Sequence, residues 1–147
     1  MSTSDAPNPL AEGHPSTRLP APDLDRARRF YAERLGLEPA DERPGGLLYR
    51  CGGVEFSVFL SAGTSPGTFT QMSWQVADIE ATVAELKRRG VEFEHVELPA
   101  SYQGQRVGDE IVEVSGHYPG RHARGERGAW FRDSEGNMLS VGQDVPA

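Results

Sequence analysis

The alternation of polar and apolar positions predicts two amphipathic helices of the same design. In the first, apolar residues recur at helical spacing at Leu24, Ala27, Phe30, Tyr31 and Leu35. In the second they are Ile79, Val83 and Leu86. Asp23 or Asp25 is placed to cap the first helix and Asp78 the second, while Gly36 and Gly90 supply left-handed stops.

The similarity of the two helices extends into an internal repeat. Asp-Leu-Asp at 23–25 matches Asp-Ile-Glu at 78–80, an offset of 55 residues, and Gly36 matches Gly90, an offset of 54. A short strand is predicted before each helix, at about 17–21 and 70–76, and each half ends in a hairpin. A mixed unit that occurs twice predicts an α+β domain of two βαβββ modules rather than a solenoid.

Length and composition set the domain boundaries. The first 15 residues have neither a basic region nor an apolar run, so they are not expected to be a targeting signal, and their polar composition predicts a disordered tail. A single domain is expected over 16–145. Module one is expected at about 16–62 and module two at about 68–145. A Gly- and Pro-containing insertion at about 97–126 predicts a long loop, either a binding element or a disordered segment.

The overall charge narrows the class of partner. The net charge of −7 argues against nucleic acid, since binding to phosphates depends on clustered Lys and Arg. No apolar run approaches the ~20 residues of a membrane span. The only cysteine, Cys51, has no partner for an internal disulfide. We therefore expect a cytoplasmic protein whose partner is a small molecule or another protein.

Two sequence motifs indicate a family. The segment DLDRARRFYAERLGL at 23–37, and FRDSEGN at 131–137, resemble the signatures of the vicinal-oxygen-chelate superfamily, which includes glyoxalases, bleomycin resistance proteins and dioxygenases. Ser134 stands where the family pattern usually has Pro. The resemblance implies that the two modules form an incomplete barrel whose concave face holds a ligand, and it implies a homodimer.

The resemblance also implies where metal-using members place their four ligands, which are His, Gln or Glu. The four positions fall on Ser16, Ser57, Gln71 and Ser140. If the register slips by two residues, the second position falls on Phe59 instead of Ser57. At most one of the four is a plausible ligand, and a transition-metal site needs at least three. We therefore expect neither a metal nor another cofactor, and no metal-dependent glyoxalase or dioxygenase chemistry.

Alternation along the strands selects the residues that would line the concave face. In the last hairpin, a loop at 133–137 pairs Trp130 with Ser140 and Arg132 with Met138 on that face, and Trp74 is assigned to the core. An alternative interpretation is that the charges of Arg50, Arg132 and Glu55 are solvated or paired with one another. The candidate ligand-binding residues are Arg50, Ser57, Phe59, Gln71, Ser73, Gln75, Tyr118, Trp130, Arg132, Met138 and Ser140.

Three functions are compatible with this lining. The first is a metal-independent binding protein for an aromatic or amphipathic small molecule, similar to the drug-sequestering members of the superfamily, with the ligand held between subunits. The second is an enzyme of the superfamily, of lyase, isomerase or dioxygenase-like type, in which Arg132, His117 or Tyr118 acts on a small carbonyl substrate. The third is a regulatory module with a vestigial pocket.

Overall fold

The computed structural model describes residues 8–102, 104–108, 110–115 and 123–146, without the side chains of 123 and 124. Within these residues the first module has the predicted βαβββ order. A helical turn, α1 (Pro9–Glu12), is capped by Asn8 within the region predicted to be a disordered tail, and residues 1–7 lie outside the described residues. The elements of module one are β1 (Thr17–Ala21), α2 (Leu24–Leu35), β2 (Asp41–Arg43), β3 (Gly46–Cys51) and β4 (Val54–Leu60).

The second module repeats this order with additions. Its elements are β5 (Met72–Gln75), α3 (Ile79–Arg88), β6 (Phe93–Glu94), the 3₁₀ turn η1 (Ala100–Tyr102), β7 (Gln105–Arg106), β8 (Val112–Ser115), β9 (Ala123–Arg132) and β10 (Met138–Pro146). The first sheet has the strand order β1-β4-β3-β2 and the second β5-β10-β9-β8-β7. In each sheet the strand before the helix pairs in parallel with the last strand of its module. The prediction of two related βαβββ modules is confirmed.

The helix boundaries follow from the capping residues. The Asp23 side chain accepts a hydrogen bond from the Arg26 backbone N–H at 3.0 Å, and Asp78 accepts one from that of Ala81 at 3.1 Å. Gly36 at φ 70° and Gly90 at φ 95° follow the two helices in conformations that favour glycine. No helix within the described ranges is long and apolar enough to cross a membrane.

The insertion differs from the predicted loop. Within 97–126, β7, β8 and the start of β9 form strands, and β8 pairs with β9 from Val112 opposite Gly128 to Ser115 opposite Gly125. β9 is accordingly ten residues long and begins at Ala123, inside the predicted insertion. The reason is long-range pairing: short strands gain their stability from a neighbour that is distant in sequence.

The core lies between the helices and the inner faces of both sheets. Tyr31, Tyr49 and Phe131 are fully buried, and a chain of ring contacts crosses from Phe56 of the first sheet to Trp74 of the second, with centroids 5.8 Å apart. Trp74 packs against this core, as predicted. The two sheets therefore contact each other through their helix-side faces.

A buried polar network also joins the modules. The Asp133 carboxylate accepts hydrogen bonds from the Tyr31 hydroxyl at 2.8 Å and from the backbone N–H groups of Glu135 and Asn137. The Asn137 side-chain amide donates to the carbonyl of Pro20 at 3.0 Å. The residues of the two sequence motifs therefore contact one another across the module boundary.

Candidate functional site

The outer face of the first sheet brings three of the candidate residues together. Arg50, Ser57 and Phe59 lie on the face opposite the buried Phe56 and Val58. In the β3–β4 hairpin Arg50 lies opposite Glu55 and Leu48 opposite Ser57. Arg50 forms a hydrogen-bonded ion pair with Glu55, so its charge is already paired. The alternative interpretation of Arg50 as a paired charge is thus the one that the geometry favours.

This face contains a depression in which the principal cation is Arg18, a residue that was not among the predicted site residues. The depression has a volume of about 530 Å³ and is lined by Arg18, Asp41, Arg43, Leu48, Ser57 and Phe59, among others. The guanidinium carbon of Arg18 lies 4.8 Å from the centroid of the Phe59 ring. Among the described residues, no carboxylate forms an ion pair with Arg18, whereas Arg43 pairs with Asp41. Arg18 was detectable by alternation, because Leu19 and Ala21 of the same strand are buried.

The outer face of the second sheet collects most of the other candidates. Ser140 lies opposite Trp130 on one side and Ser73 on the other, and Met138 lies opposite Arg132. These pairings agree with the predicted register. Ser140 and Met138 are buried, at 6% and 3% exposure, whereas Trp130 is half-buried. The Trp130 indole N–H donates to the Thr70 hydroxyl at 2.9 Å, which fixes the orientation of its ring.

Three of the polar candidates on this side already have hydrogen-bond partners. The Gln71 side-chain oxygen accepts from the Ser65 hydroxyl and the Met138 backbone, and its amide donates to Asn137 at 2.9 Å. The Gln75 amide donates to the Asp144 carboxylate at 2.7 Å. Arg132 donates to the carbonyl of Gly67 and lies 3.3 Å from the Glu94 carboxylate. These side chains hold the sheet and the linker in place, which the sequence pattern did not indicate.

The remaining candidates fall outside the site as described. Tyr118, with His117 and His122, lies outside the described residues. The exposed His95 has its Nε2 atom 3.8 Å from the Glu110 carboxylate. Apart from the charges that form ion pairs, the acid/base groups that the described residues offer to the outer faces are Asp144 and Glu126. These two residues lie opposite each other in the second sheet.

The residues at the expected metal-ligand positions do not fit a metal. Ser57 and Ser140 offer weak hydroxyl donors, Ser16 is exposed, and the Gln71 amide is committed to its protein partners. Among the described residues, no three His, Cys, Asp or Glu side chains are grouped so as to hold a metal ion.

The two outer faces are separate surfaces within one chain. Phe56 and Trp74 contact each other on the inner faces, and the adjacent residues Ser57 and Ser73 lie on the outer face of their own sheets. The depression on the first sheet accordingly contains no candidate residue of the second sheet. One chain thus presents two separate half-sites: face A, with Arg18, Ser57 and Phe59, and face B, with Ser73, Trp130 and Ser140.

Comparison with known proteins agrees with this architecture. A family model described as the Glyoxalase/Bleomycin resistance protein/Dioxygenase superfamily matches residues 13–141. No curated protein matches the chain.

Solved structures with the same fold cover nearly the whole chain. A glyoxalase/bleomycin resistance protein/dioxygenase from Alicyclobacillus acidocaldarius is 19% identical, with a TM-score of 0.62 over 90% of this chain and 92% of its own. A putative glyoxalase family protein from Bacillus anthracis is 18% identical, with a TM-score of 0.61 over 90% and 95%. The fosfomycin resistance protein FosX from Listeria monocytogenes is 12% identical, with a TM-score of 0.59 over 91% and 94%. At these identities the similarity establishes the fold.

Proposed function

We propose, from the premise that this chain belongs to the glyoxalase/bleomycin resistance protein/dioxygenase superfamily, that it binds an aromatic or amphipathic small molecule without a metal. The site we propose is formed by two copies of the chain, with face A of one copy opposite face B of the other. We include drug sequestration within this proposal; among the proteins of similar structure, FosX is named as a fosfomycin resistance protein. With one cysteine, which is free, we place this role in the cytoplasm.

The main support is the position of Arg18 over the Phe59 ring. The pair combines a cation that has no carboxylate partner among the described residues with an aromatic surface 4.8 Å away. A guanidinium in this setting suits a carboxylate, phosphonate or carbonyl group, and the ring suits the apolar body attached to it. The ligand class that fits face A is therefore an aromatic or amphipathic anion.

Face B supplies a complementary surface. The half-buried Trp130 ring, held by Thr70, offers a flat apolar surface, and the hydroxyls of Ser73 and Ser140 lie beside it on the same face. Tyr and Trp side chains that are fixed in this way contribute large contact areas at a small entropic cost. A flat ligand stacked on Trp130 would keep hydrogen-bonding groups within reach.

The separation of the faces supports a dimeric site. Arg18 of face A and Ser73 of face B are exposed in a single chain, whereas small-molecule sites bury roughly 70–90% of a drug-sized ligand. A two-fold axis that places face A of one copy against face B of the other creates two equivalent enclosed sites, as closed symmetry requires. We therefore propose a homodimer in which both copies contribute residues to each site.

Thermal unfolding in the presence of a compound panel tests this proposal. Aromatic carboxylates and phosphonates are compared with their neutral amides and esters, on the wild type, Arg18→Gln and the control Arg29→Gln. Arg29 is exposed on α2 and has none of the Arg18 contacts. Because a ligand that binds only the folded state raises the melting temperature, we expect anions to stabilise the wild type and the control more than Arg18→Gln.

Elemental analysis and product analysis of the same samples separate the alternatives. A transition metal at one equivalent per chain, or conversion of a panel compound into a product, would contradict the proposal. Stabilisation that is the same in Arg18→Gln and wild type would show that face A does not bind the anion.

A further inference from the structure

A second cavity lies on the inner side of the sheets, away from both half-sites. It has a volume of about 260 Å³ and is bounded by the end of α2, the end of β3, helix α3 and the inner face of the second sheet. Its walls come from both modules, with Leu35, Leu37 and Cys51 from the first and Trp74, Val76 and Leu86 from the second. We call it the inter-module cleft.

The lining of the inter-module cleft is apolar. No charged side chain contributes to it. The only hydroxyl, that of Thr82, donates to the carbonyl of Asp78 at 2.8 Å, so its hydrogen is already used. The thiol of Cys51 is a weak hydrogen-bonding group. A ligand with a charge or several polar groups would lose its hydration without replacement, which disfavours its binding.

Two aromatic rings on the inner face of the second sheet line the cleft. The rings of Trp74 and Phe131 are nearly parallel, with an angle of 12° between their planes and centroids 6.4 Å apart. Filling the cleft at the packing density of protein interiors, about 0.74, corresponds to roughly 190 Å³ of atoms. That volume accommodates two fused six-membered rings but not a peptide segment, whose backbone groups would also lack hydrogen-bond partners.

We propose that the inter-module cleft is a second binding site, for a neutral bicyclic aromatic or hydrocarbon molecule, distinct from the anion site on the outer faces. Apolar cavities in proteins take up aromatic hydrocarbons of matching size, which supports this ligand class. Because both modules line the cleft, a bound molecule would contact both of them. It would lie against Trp74, whose ring also contacts Phe56 of the first sheet.

Methyl NMR of the full chain with naphthalene as the probe tests the inference. We expect naphthalene to shift the methyl signals of Leu35, Leu37 and Val76, and not that of Leu48 on face A. The charged analogue 2-naphthoate should not shift the cleft signals. Cys51 is the only cysteine, so its reaction with N-phenylmaleimide gives an independent readout, which naphthalene should slow.

A filling variant and a matched control complete the experiment. Val76→Phe should weaken naphthalene binding by roughly tenfold or more, because the added ring occupies the cleft. Val107→Phe, the same change at an exposed position outside the cleft, should leave binding unchanged. Val76→Phe should also retain the anion-induced stabilisation assigned to Arg18, which shows that the variant is folded.

Three results would overturn the inference. They are naphthalene shifts confined to Leu48, equal binding by Val76→Phe and Val107→Phe, and an oligomeric state that changes in Val76→Phe without any naphthalene shifts in the wild type. The last result would assign the cleft to a contact between protein chains.

Discussion

The hydroxyl of Tyr31 donates a 2.8 Å hydrogen bond to the carboxylate of Asp133, and this contact links α2 of module one to the β9–β10 hairpin of module two. Tyr31 is fully buried, and burial together with the nearby Asp133 carboxylate raises the pKa of Tyr31 well above its usual value. Burial also raises the pKa of Asp133, although hydrogen bonds from Asn137 and Tyr31 oppose this shift. The contact between Tyr31 and Asp133, one residue from each sequence motif, thus holds the modules together.

Replacing Tyr31 with Phe tests the strength of this contact. The Tyr31→Phe variant removes a buried hydroxyl from an acceptor that stays in place, so we expect a loss of about 1–3 kcal/mol in the free energy of unfolding. Urea denaturation of the wild type and the variant measures this difference directly.

Tyr49→Phe is the matched control for Tyr31→Phe. The Tyr49 hydroxyl is buried with no hydrogen-bond partner in the described part of the chain, and burial raises the pKa of Tyr49 to about 12. Removing an unsatisfied buried hydroxyl should leave the stability unchanged or increase it. Equal losses in both variants would show that the Tyr31–Asp133 bond contributes nothing specific.

Stability should depend on pH through Glu135. Burial favours its neutral form, but hydrogen bonds from Arg26, Ser134 and the Asp23 backbone outweigh it and hold the pKa of Glu135 below its usual value of 4.5. The unfolded chain therefore binds more protons than the folded chain just below pH 4.5. This contribution is complete above about pH 4.5 and is lost as the pH falls through the folded pKa.

The variant Glu135→Gln isolates that contribution. The difference in unfolding free energy between the wild type and Glu135→Gln should be constant above about pH 5 and shrink as the pH falls towards 3, as urea titrations at several pH values would show. Asp133 is common to both proteins, so its titration largely cancels. A difference that stays constant down to pH 3 would contradict the lowered pKa.

The linker between the modules should not tolerate a side chain at Gly67. Gly67 is buried with φ of 65°, and a Cβ atom there would lie 2.4 Å from the carbonyl oxygen of Gly136. Gly67→Ala should therefore destabilise the fold by about 2 kcal/mol or more. Gly63 is exposed, and a Cβ there meets nothing within 4 Å, so Gly63→Ala should change stability by at most about 0.5 kcal/mol. Thermal unfolding of the pair checks this, and equal effects would contradict the close approach.

Local signals in the sequence were sufficient to predict the elements that set the faces. Asp23 and Asp78 cap the helices, and the loop at 133–137 fixes the register that pairs Trp130 with Ser140. These features depend on residues that are close in sequence. Alternation then assigned Trp74 to the core and Ser73 to the outer face, and the structure agrees.

Features that depend on distant residues were not predictable in the same way. The partners that engage Gln71 include Ser65 and Asn137, which only the fold brings together. The separation of faces A and B follows from how the modules pack, because the contact between Phe56 and Trp74 is not encoded in either strand alone. Arg18, by contrast, lay within reach of the alternation argument and was overlooked.

A mixing experiment with two variants tests the two-copy site most directly. Arg18→Gln damages face A and Trp130→Leu damages face B, so neither homodimer has an intact site. If each site combines face A of one copy with face B of the other, equilibrating equal amounts of the two variants should restore about one quarter of the wild-type binding sites for the best aromatic anion of the panel. Calorimetric titration counts these sites. A mixture that binds no more ligand than the separate variants would contradict a site shared between copies.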